Sequence, residues 1–269
     1  MLTSPQLQQL LTRMWIDYST LNPAAKAIHD LFVAQGETVL NDHVAYRTFK
    51  HPKLGINSLA QHIEKLGYKS SGDYTFTEKK LFAVHYEHPN SEIPKIFISE
   101  LELDKVDPFI SEAVETMIKE VPESLIKSEE ILTCGRPWKM SFETYNKLAQ
   151  HSEYASWVAA FGFRPNHFTV NVNALKKFST LQAVNEFIKS KGFTLNSSGG
   201  EIKGTPAEYL EQSSTMAKDV EVSFQDGKYR VPACYYEFAL RYKLPDGKLY
   251  QGFIAKSADK IFESTNRVK

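Results

Sequence analysis

Hydrophobic and polar residues alternate in three short stretches of the chain. In residues 41–49, extended backbone places His43 and Arg47 on one face of a strand, with Val44 on the other. Residues 166–173 place His167 on a polar face in the same way, and residues 234–241 do so for Glu237. The alternation therefore predicts three β-strands whose polar faces carry two histidines and a carboxylate.

The order of the predicted elements repeats at about half the chain length. A strand that contains His43 precedes a helix ending at Gly67 and three further strands. A strand that contains His167 precedes a helix ending at Gly192 and further strands. The segment EKLGYKSSGDY in the first half resembles KSKGFTLNSSGG at the corresponding place in the second half. This repeat predicts two βαβββ modules that close on each other.

The two modules have corresponding carboxylates but different lengths. We predict that Glu100 occupies in the first module the position that Glu237 occupies in the second. The interval from histidine to carboxylate is longer in the second module, and we expect its additional residues at 201–218.

Helical periodicity accounts for the remaining segments. Ser4 and Pro5 begin an amphipathic helix, a second helix ends near Gly36, and Asp107 begins the helices between the modules. We therefore predict an α+β fold. Its segments are N-terminal helices at 1–37, a first module at 38–104, a helical insert at 105–163, a second module at 164–256 and a C-terminal segment at 257–269.

Composition narrows the class of partner. Of 269 residues, 42% are hydrophobic, and 32 basic side chains balance 32 acidic ones, so neither nucleic acid nor an anionic membrane is indicated. Cys134 and Cys234 provide neither a disulfide framework nor the spacing of a zinc site. The chain also has no signal-peptide pattern and no apolar run of the roughly 20 residues that span a bilayer. We expect a soluble cytoplasmic protein with a small-molecule partner.

The candidate chemistry is that of a facial triad. Two imidazoles and one carboxylate hold a divalent first-row metal on one side and leave its other positions open. His43, His167 and Glu237 are the candidate ligands. A 2-oxo acid can chelate Fe(II) through its keto oxygen and carboxylate, and dioxygen can take the remaining position. Arg47 shares a face with His43 and is placed to pair with a substrate carboxylate.

Each candidate also has a structural interpretation. A strand histidine is more often a hydrogen-bonded structural residue than a ligand, and Arg47 could be the buried counter-charge of Glu237 or Glu100. Glu100 and Glu102 could face solvent at a strand end, with Arg241 paired to one of them. The remaining histidines lie on helices or beside turns and are interpreted as surface residues: His29, His51, His62, His85, His88 and His151.

The motifs HVAYRTF, NHFTVNVN, YYEFALRY and GFIAKSADKIFEST carry a family resemblance. The chain resembles the 2-oxoadipate dioxygenase/decarboxylase family, also called hydroxyglutarate synthase, within the vicinal-oxygen-chelate superfamily. The resemblance implies that the paired βαβββ modules form an incomplete barrel around one metal. It implies Fe(II) ligation by His43, His167 and Glu237, and substrate binding by Ser257 and Arg47, with Arg47 also catalytic. It further implies that residues 257–269 form a lid over the metal site.

The reaction that the resemblance implies is conversion of 2-oxoadipate and O2 to 2-hydroxyglutarate and CO2, with a place in lysine catabolism. Two alternatives remain at this point. A glyoxalase-like isomerase or lyase would use four protein ligands, with Glu100 as the fourth. A metal-free small-molecule binding protein could be built on the same fold.

Overall fold

The computed structural model describes residues 4–265. Residues 1–3 of the predicted N-terminal helices and residues 266–269 of the predicted C-terminal segment lie outside the described residues. Two helices come first, α1 (Pro5–Leu21) and α2 (Pro23–Ala34). The Ser4 hydroxyl caps α1 by accepting a hydrogen bond from the backbone N–H of Leu7 at 3.2 Å. Helix α1 therefore begins where Ser4 and Pro5 predict.

Each half of the chain contains a strand, a helix and further strands in the predicted order. The first module consists of β1 (Asn41–Phe49), α3 (Ile56–Glu64), β2 (Lys69–Phe76), β3 (Leu81–Glu87) and β4 (Lys95–Leu101). Four helices follow: α4 (Pro108–Lys119), α5 (Glu123–Ile126), α6 (Phe142–His151) and α7 (Glu153–Phe161). The second module contains β5 (Pro165–Asn171), α8 (Leu181–Ser190), β6 (Lys203–Thr205), β7 (Leu210–Ser214), β8 (Asp219–Phe224), β9 (Gly227–Pro232) and β10 (Tyr235–Arg241). The described chain ends with α9 (Ala255–Phe262) and a short 3-10 turn, Glu263–Thr265.

Eight strands form one curled sheet, an incomplete barrel, in the order β2-β3-β4-β1-β5-β10-β7-β6. The two modules join at the centre, where β1 and β5 pair antiparallel. On either side of this pair, β1 runs parallel to β4, and β5 runs parallel to β10. The strands of His43 and His167 are therefore neighbours, and the strand of Glu237 lies directly beside them.

The two faces of this sheet differ as the alternation predicts. Val44 and Phe168 are cross-strand partners on the outer face, where both are buried. The Trp15 and Tyr18 rings of α1 pack on Phe168 at centroid distances of 5.2 and 5.0 Å. The apolar core thus lies between the sheet and the helices outside it, and the polar inner face lines the interior of the barrel.

The additional residues of the second module form a hairpin, which corrects the prediction that they lie at 201–218. That range contains β6 and β7, whereas β8 and β9 pair with each other in a separate sheet. The Tyr229 ring of this hairpin stacks on Phe142 of α6 at 3.7 Å. A sequence interval gives the length of an insertion but not its place, and for this reason the prediction was wrong.

Helices α4 to α7 occupy the region of the predicted helical insert. The segment boundaries drawn from the sequence stay a prediction. Within residues 4–265, no helix combines the length and the apolar character that a membrane span requires.

Candidate metal centre

Three buried side chains on β1, β5 and β10 bring their ligand atoms within 4.8 Å of one another: His43, His167 and Glu237. Pairing in register explains this geometry. His43 pairs with Thr169, and Thr169 pairs with Glu237, so His43, Thr169 and Glu237 form one row across the inner face of the sheet. His167 is one pleat away on the same face. Glu237 Oε1 lies 3.6 Å from His43 Nε2, and Glu237 Oε2 lies 3.3 Å from His167 Nε2.

A β-bulge immediately precedes each of the two histidines. The register between β1 and β5 shifts once at Asp42 and once at Asn166, so both are the extra residue of a bulge. Asp42 Oδ1 lies 2.8 Å from His43 Nδ1, and Asn166 Oδ1 lies 3.0 Å from His167 Nδ1. With its Nδ1–H donating to that oxygen, each ring presents Nε2 to the centre. Sequence reasoning missed both residues, although each strand shows an Asx-His pair.

Asp42 is itself held by Arg241, with Oδ2 2.6 Å from Nε and Oδ1 2.8 Å from an Nη. The prediction that Arg241 pairs with Glu100 or Glu102 is therefore wrong. Although burial alone would raise the pKa of the Asp42 carboxyl, Arg241 holds it well below its usual range. Arg241 also donates to the backbone carbonyls of Tyr250 and Gly252. Arg241 thereby connects Asp42, the hydrogen-bond partner of His43, to the segment that precedes Phe253.

The two histidines are in the protonation state that a divalent cation requires, and Glu237 would reach it on losing a proton. Burial lowers the pKa of His43 despite the Asp42 carboxylate, and burial lowers that of His167 well below its ordinary value. Both imidazoles are therefore neutral nitrogen donors near neutral pH. Burial also raises the pKa of Glu237 to about 8, against the hydrogen bond from Gln212 Nε2 at 2.6 Å. Within residues 4–265 this buried carboxyl pairs with no lysine or arginine, and a bound metal ion would take the place of its proton.

Glu100 is not equivalent to Glu237, which corrects the predicted correspondence. His43 pairs with Lys95 and His167 pairs with Tyr235, so Phe97 is the counterpart of Glu237. Glu100 lies three residues further on, which places it on the outer face of the sheet. There its Oε2 accepts a hydrogen bond from the backbone N–H of Ile56 at 2.9 Å. The fourth ligand of the isomerase alternative is therefore not supplied by Glu100.

A small cavity of about 20 Å³ adjoins the three candidate ligands and has room for about one water molecule. Apolar side chains close it: Phe97, Phe253, Ala258, Ile261 and Phe262. Two buried polar atoms in its wall, Tyr235 Oη and Gln212 Oε1, have no hydrogen-bond partner within residues 4–265. Unpartnered polar atoms beside neutral imidazoles are typical of a site that accepts a polar ligand.

Arg47 is only 1% exposed and pairs with a residue that the sequence did not indicate. One Nη donates to Glu153 Oε1 at 2.7 Å, and the other donates to Thr265 Oγ1 at 3.2 Å. Its counter-charge is thus Glu153, not Glu237 or Glu100. The Phe262 ring lies 5.5 Å from the guanidinium carbon and also lines the cavity, so Arg47 and the cavity share this aromatic neighbour.

Ser257 is buried in α9, and its Oγ lies towards β6, 3.3 Å from where a Cβ on Gly204 would stand. Within residues 4–265, neither Ser257 nor Arg47 belongs to the lining of the small cavity. Their predicted substrate contacts stay predictions.

Two histidines interpreted as surface residues are buried. His62 Nε2 lies 2.9 Å from the carbonyl oxygen of Ile126, and His85 lies between Tyr74 and Glu87. Neither belongs to the metal-ligand cluster found within residues 4–265.

Comparison with known proteins gives the family. The family model described as 2-oxoadipate dioxygenase/decarboxylase matches residues 4–136 and 129–248. The chain belongs to this family. It is 33% identical to the chloroplastic 2-oxoadipate dioxygenase/decarboxylase of Arabidopsis thaliana, over 96% of this chain and 77% of the relative. It is therefore an enzyme of the 2-oxoadipate dioxygenase/decarboxylase kind.

Two similar solved structures share the fold. The hydroxyglutarate synthase of Oryza sativa, crystallised with 2-oxoadipate, is 32% identical with a TM-score of 0.91, over 96% of this chain and 91% of that chain. A protein from Shewanella frigidimarina is 45% identical with a TM-score of 0.89, over 95% and 99% of the two chains. The predicted fold class is thereby confirmed. The Arabidopsis relative is chloroplastic, and the compartment of this chain stays a prediction.

Proposed function

We propose that this chain is a non-haem Fe(II)-dependent dioxygenase/decarboxylase that converts 2-oxoadipate and O2 to 2-hydroxyglutarate and CO2. The observation that carries the proposal is the buried cluster of His43, His167 and Glu237, whose ligand atoms lie within 4.8 Å of one another. Membership of the family, and the 2-oxoadipate bound to the rice relative, support the choice of substrate.

The Nε2 atoms of His43 and His167 and the carboxylate of Glu237 would hold the metal. Bound Fe(II) would activate O2 and offer open positions at which a 2-oxo acid can chelate, while the 2-oxo acid itself would supply the electrons that reduce O2. The residues of the chain determine how many positions stay open. Because Phe97 stands where a carboxylate would be the fourth ligand, residues 4–265 would present three ligands to the metal. This favours a dioxygenase over an isomerase with four protein ligands.

Asp42 and Asn166 would fix the ligand geometry. Each accepts a hydrogen bond from the Nδ1 of the following histidine, which keeps both rings in the tautomer that offers Nε2. The Asp42–Arg241 pair, which is buried, would hold the first of these acceptors in place. A preorganised set of three ligands lowers the reorganisation needed when metal and substrate bind.

The C-terminal segment would act as the lid. Ala258, Ile261 and Phe262 of α9 lie over the ligands, and the cavity below them holds about one water molecule at about 20 Å³. A six-carbon dicarboxylate does not fit this volume, so substrate binding requires displacement of α9 or of Phe253. Closure of these apolar side chains over the bound substrate would exclude water during the reaction.

Arg47 is the proposed partner of a substrate carboxylate, since a guanidinium offers the planar, bidentate arrangement of donors that a carboxylate accepts. Its position on the His43 face and its contact with Phe262 of the proposed lid support this role. Ser257, beside Ala258 on α9, is the proposed second polar contact to the substrate.

The test is oxygen uptake by protein loaded with Fe(II) in the absence of air, screened against 2-oxo acids of increasing length. We expect uptake with 2-oxoadipate and, by mass spectrometry, one 2-hydroxyglutarate for each O2 consumed. Metal-bound protein that rearranges a substrate without consuming oxygen would support the isomerase alternative instead. Protein that binds the acids equally well after removal of all metal would support the metal-free alternative.

A further inference from the structure

Arg47 already has a carboxylate partner in this structure. Its Nη1 atom donates to Glu153 Oε1 at 2.7 Å, and the Thr265 hydroxyl donates to the same oxygen. Arg47 Nη2 donates to Thr265 Oγ1 at 3.2 Å. Glu153, Thr265 and Arg47 therefore form a closed triangle of hydrogen bonds.

The rest of the Arg47 environment is aromatic. Its guanidinium carbon lies 5.0 Å from the ring centroid of Tyr154 and 5.3 Å from that of Trp157. Glu153 is thus the carboxylate that balances this buried charge. The buried Nε–H of the guanidinium has no acceptor within residues 4–265.

Glu153 itself borders solvent. It is the first residue of α7, where the helix dipole favours a negative charge, and its side chain is 16% exposed. It lines a cleft of about 700 Å³, which lies within the size range of ligand pockets. Polar side chains of both signs line the same cleft, among them Lys80 and Asp107. A Glu153 side chain released from Arg47 therefore has a polar, hydrated place to occupy.

We infer that Glu153 is a specificity-determining residue: it occupies Arg47 as a resident carboxylate, and the distal carboxylate of a dicarboxylic 2-oxo acid must compete with it. The inference rests on the proposed function, because it takes Arg47 as the partner of that distal carboxylate. Two carboxylates beside one buried guanidinium leave a net negative charge in an aromatic surrounding, which is unfavourable. Binding of the substrate carboxylate therefore displaces Glu153 towards the hydrated cleft, whereas a monocarboxylic acid leaves the pair intact.

Substitution Glu153→Gln tests the inference, because the amide still accepts a hydrogen bond from Arg47 but carries no competing charge. The probes are 2-oxoadipate and 2-oxohexanoate, which differ in their terminal carboxylate. Binding to Fe(II)-loaded protein is measured by calorimetry without oxygen, so the readout does not depend on turnover. We expect the dissociation constant of 2-oxoadipate to fall about tenfold relative to that of 2-oxohexanoate.

Two further variants support the comparison. Glu143→Gln is the matched control, since Glu143 also lies in the first turn of an insert helix but pairs with Lys147 and not with Arg47. It should leave the ratio of the two dissociation constants unchanged. Thr265→Val weakens the hold on Glu153 without changing any charge, and should shift the ratio in the same direction by a smaller factor, about threefold.

The outcomes separate this inference from the proposed role of Arg47. If the ratio of the 2-oxoadipate dissociation constant to that of 2-oxohexanoate is unchanged in Glu153→Gln and Thr265→Val but rises in Arg47→Ala, then Arg47 binds the distal carboxylate and the inference about Glu153 is wrong. If none of these variants changes the ratio, both the inference and the proposed role of Arg47 are wrong.

Discussion

Phe97 in the first module occupies the position that Glu237 occupies in the second. The pairs His43–Lys95 and His167–Tyr235 fix this equivalence, and both Phe97 and Glu237 line the small cavity. A two-fold arrangement of βαβββ modules offers four inward positions at its centre, two from each module. Here imidazole or carboxylate groups fill three of them, and a phenyl ring fills the fourth.

Substitution Phe97→Glu should add the fourth ligand. We expect the metal-free variant to be less stable by about 3 kcal/mol, because a second unpaired carboxylate is buried beside Glu237. Added divalent metal should restore this stability, while oxygen uptake with 2-oxoadipate should be lost. Urea unfolding with and without metal, together with an oxygen electrode, measures both effects. The matched variant Phe97→Leu should keep its activity, and full oxygen uptake by Phe97→Glu would contradict our interpretation of this position.

Metal binding should release a proton from Glu237. Burial raises the pKa of this carboxyl to about 8 in the metal-free protein, so it holds its proton below that pH and must lose it to become a ligand. We expect about one proton released per metal at about pH 6.5 and almost none at about pH 9.5, so apparent affinity rises with pH up to about 8. Calorimetry in buffers of different ionisation enthalpy measures this number. Equal proton release at both pH values would exclude Glu237 as its source.

The support of His43 by Asp42 should be measurable in both stability and metal affinity. Asp42→Asn keeps an oxygen for His43 Nδ1 but leaves the buried Arg241 guanidinium without its carboxylate. We expect a loss of about 3 to 5 kcal/mol in unfolding free energy and a metal affinity lower by about 10- to 100-fold. Adding Arg241→Met should recover part of the stability, because the uncompensated charge is removed. Wild-type stability of Asp42→Asn would show that the pair contributes nothing.

Variants of Arg47 should affect substrate use and not metal content. Arg47→Lys keeps the charge but loses the bidentate geometry, and Arg47→Ala loses both. Removing a charge-assisted hydrogen bond of about 1.5 to 3 kcal/mol should lower kcat/KM for 2-oxoadipate by about one to two decades. The loss should be larger for dicarboxylic than for monocarboxylic 2-oxo acids. If iron and thermal stability are lost together in both variants, Arg47 is a structural counter-charge of Glu153 and not a substrate ligand.

The sequence was sufficient to bring His43, His167 and Glu237 to one face, because the alternation along each strand is regular from that residue onwards. It could not reveal Asp42 and Asn166 as supports, since a β-bulge is a property of the pairing between two strands and not of either strand alone. Regular alternation would have turned both residues to the opposite face from the histidine that follows.

The incorrect prediction that Glu100 corresponds to Glu237 has a related cause. The length of a strand does not define its register, and an error of three residues between Phe97 and Glu100 changes both the position and the face of the side chain. The Arg47–Glu153 pair joins residues that are 106 positions apart, from a strand and from an insert helix. No periodicity within one segment reports such a contact.

The metal stoichiometry of the protein and its ligand variants tests the central claim most directly. Each protein is loaded with Fe(II) without oxygen, passed over a desalting column and analysed for bound iron. We predict one iron per chain for the wild type and for the control Glu100→Gln, whose carboxylate lies on the outer face. Alanine at His43, His167 or Glu237 should abolish stoichiometric binding while the fold is retained. One iron per chain and full oxygen uptake in any of these alanine variants would contradict the account.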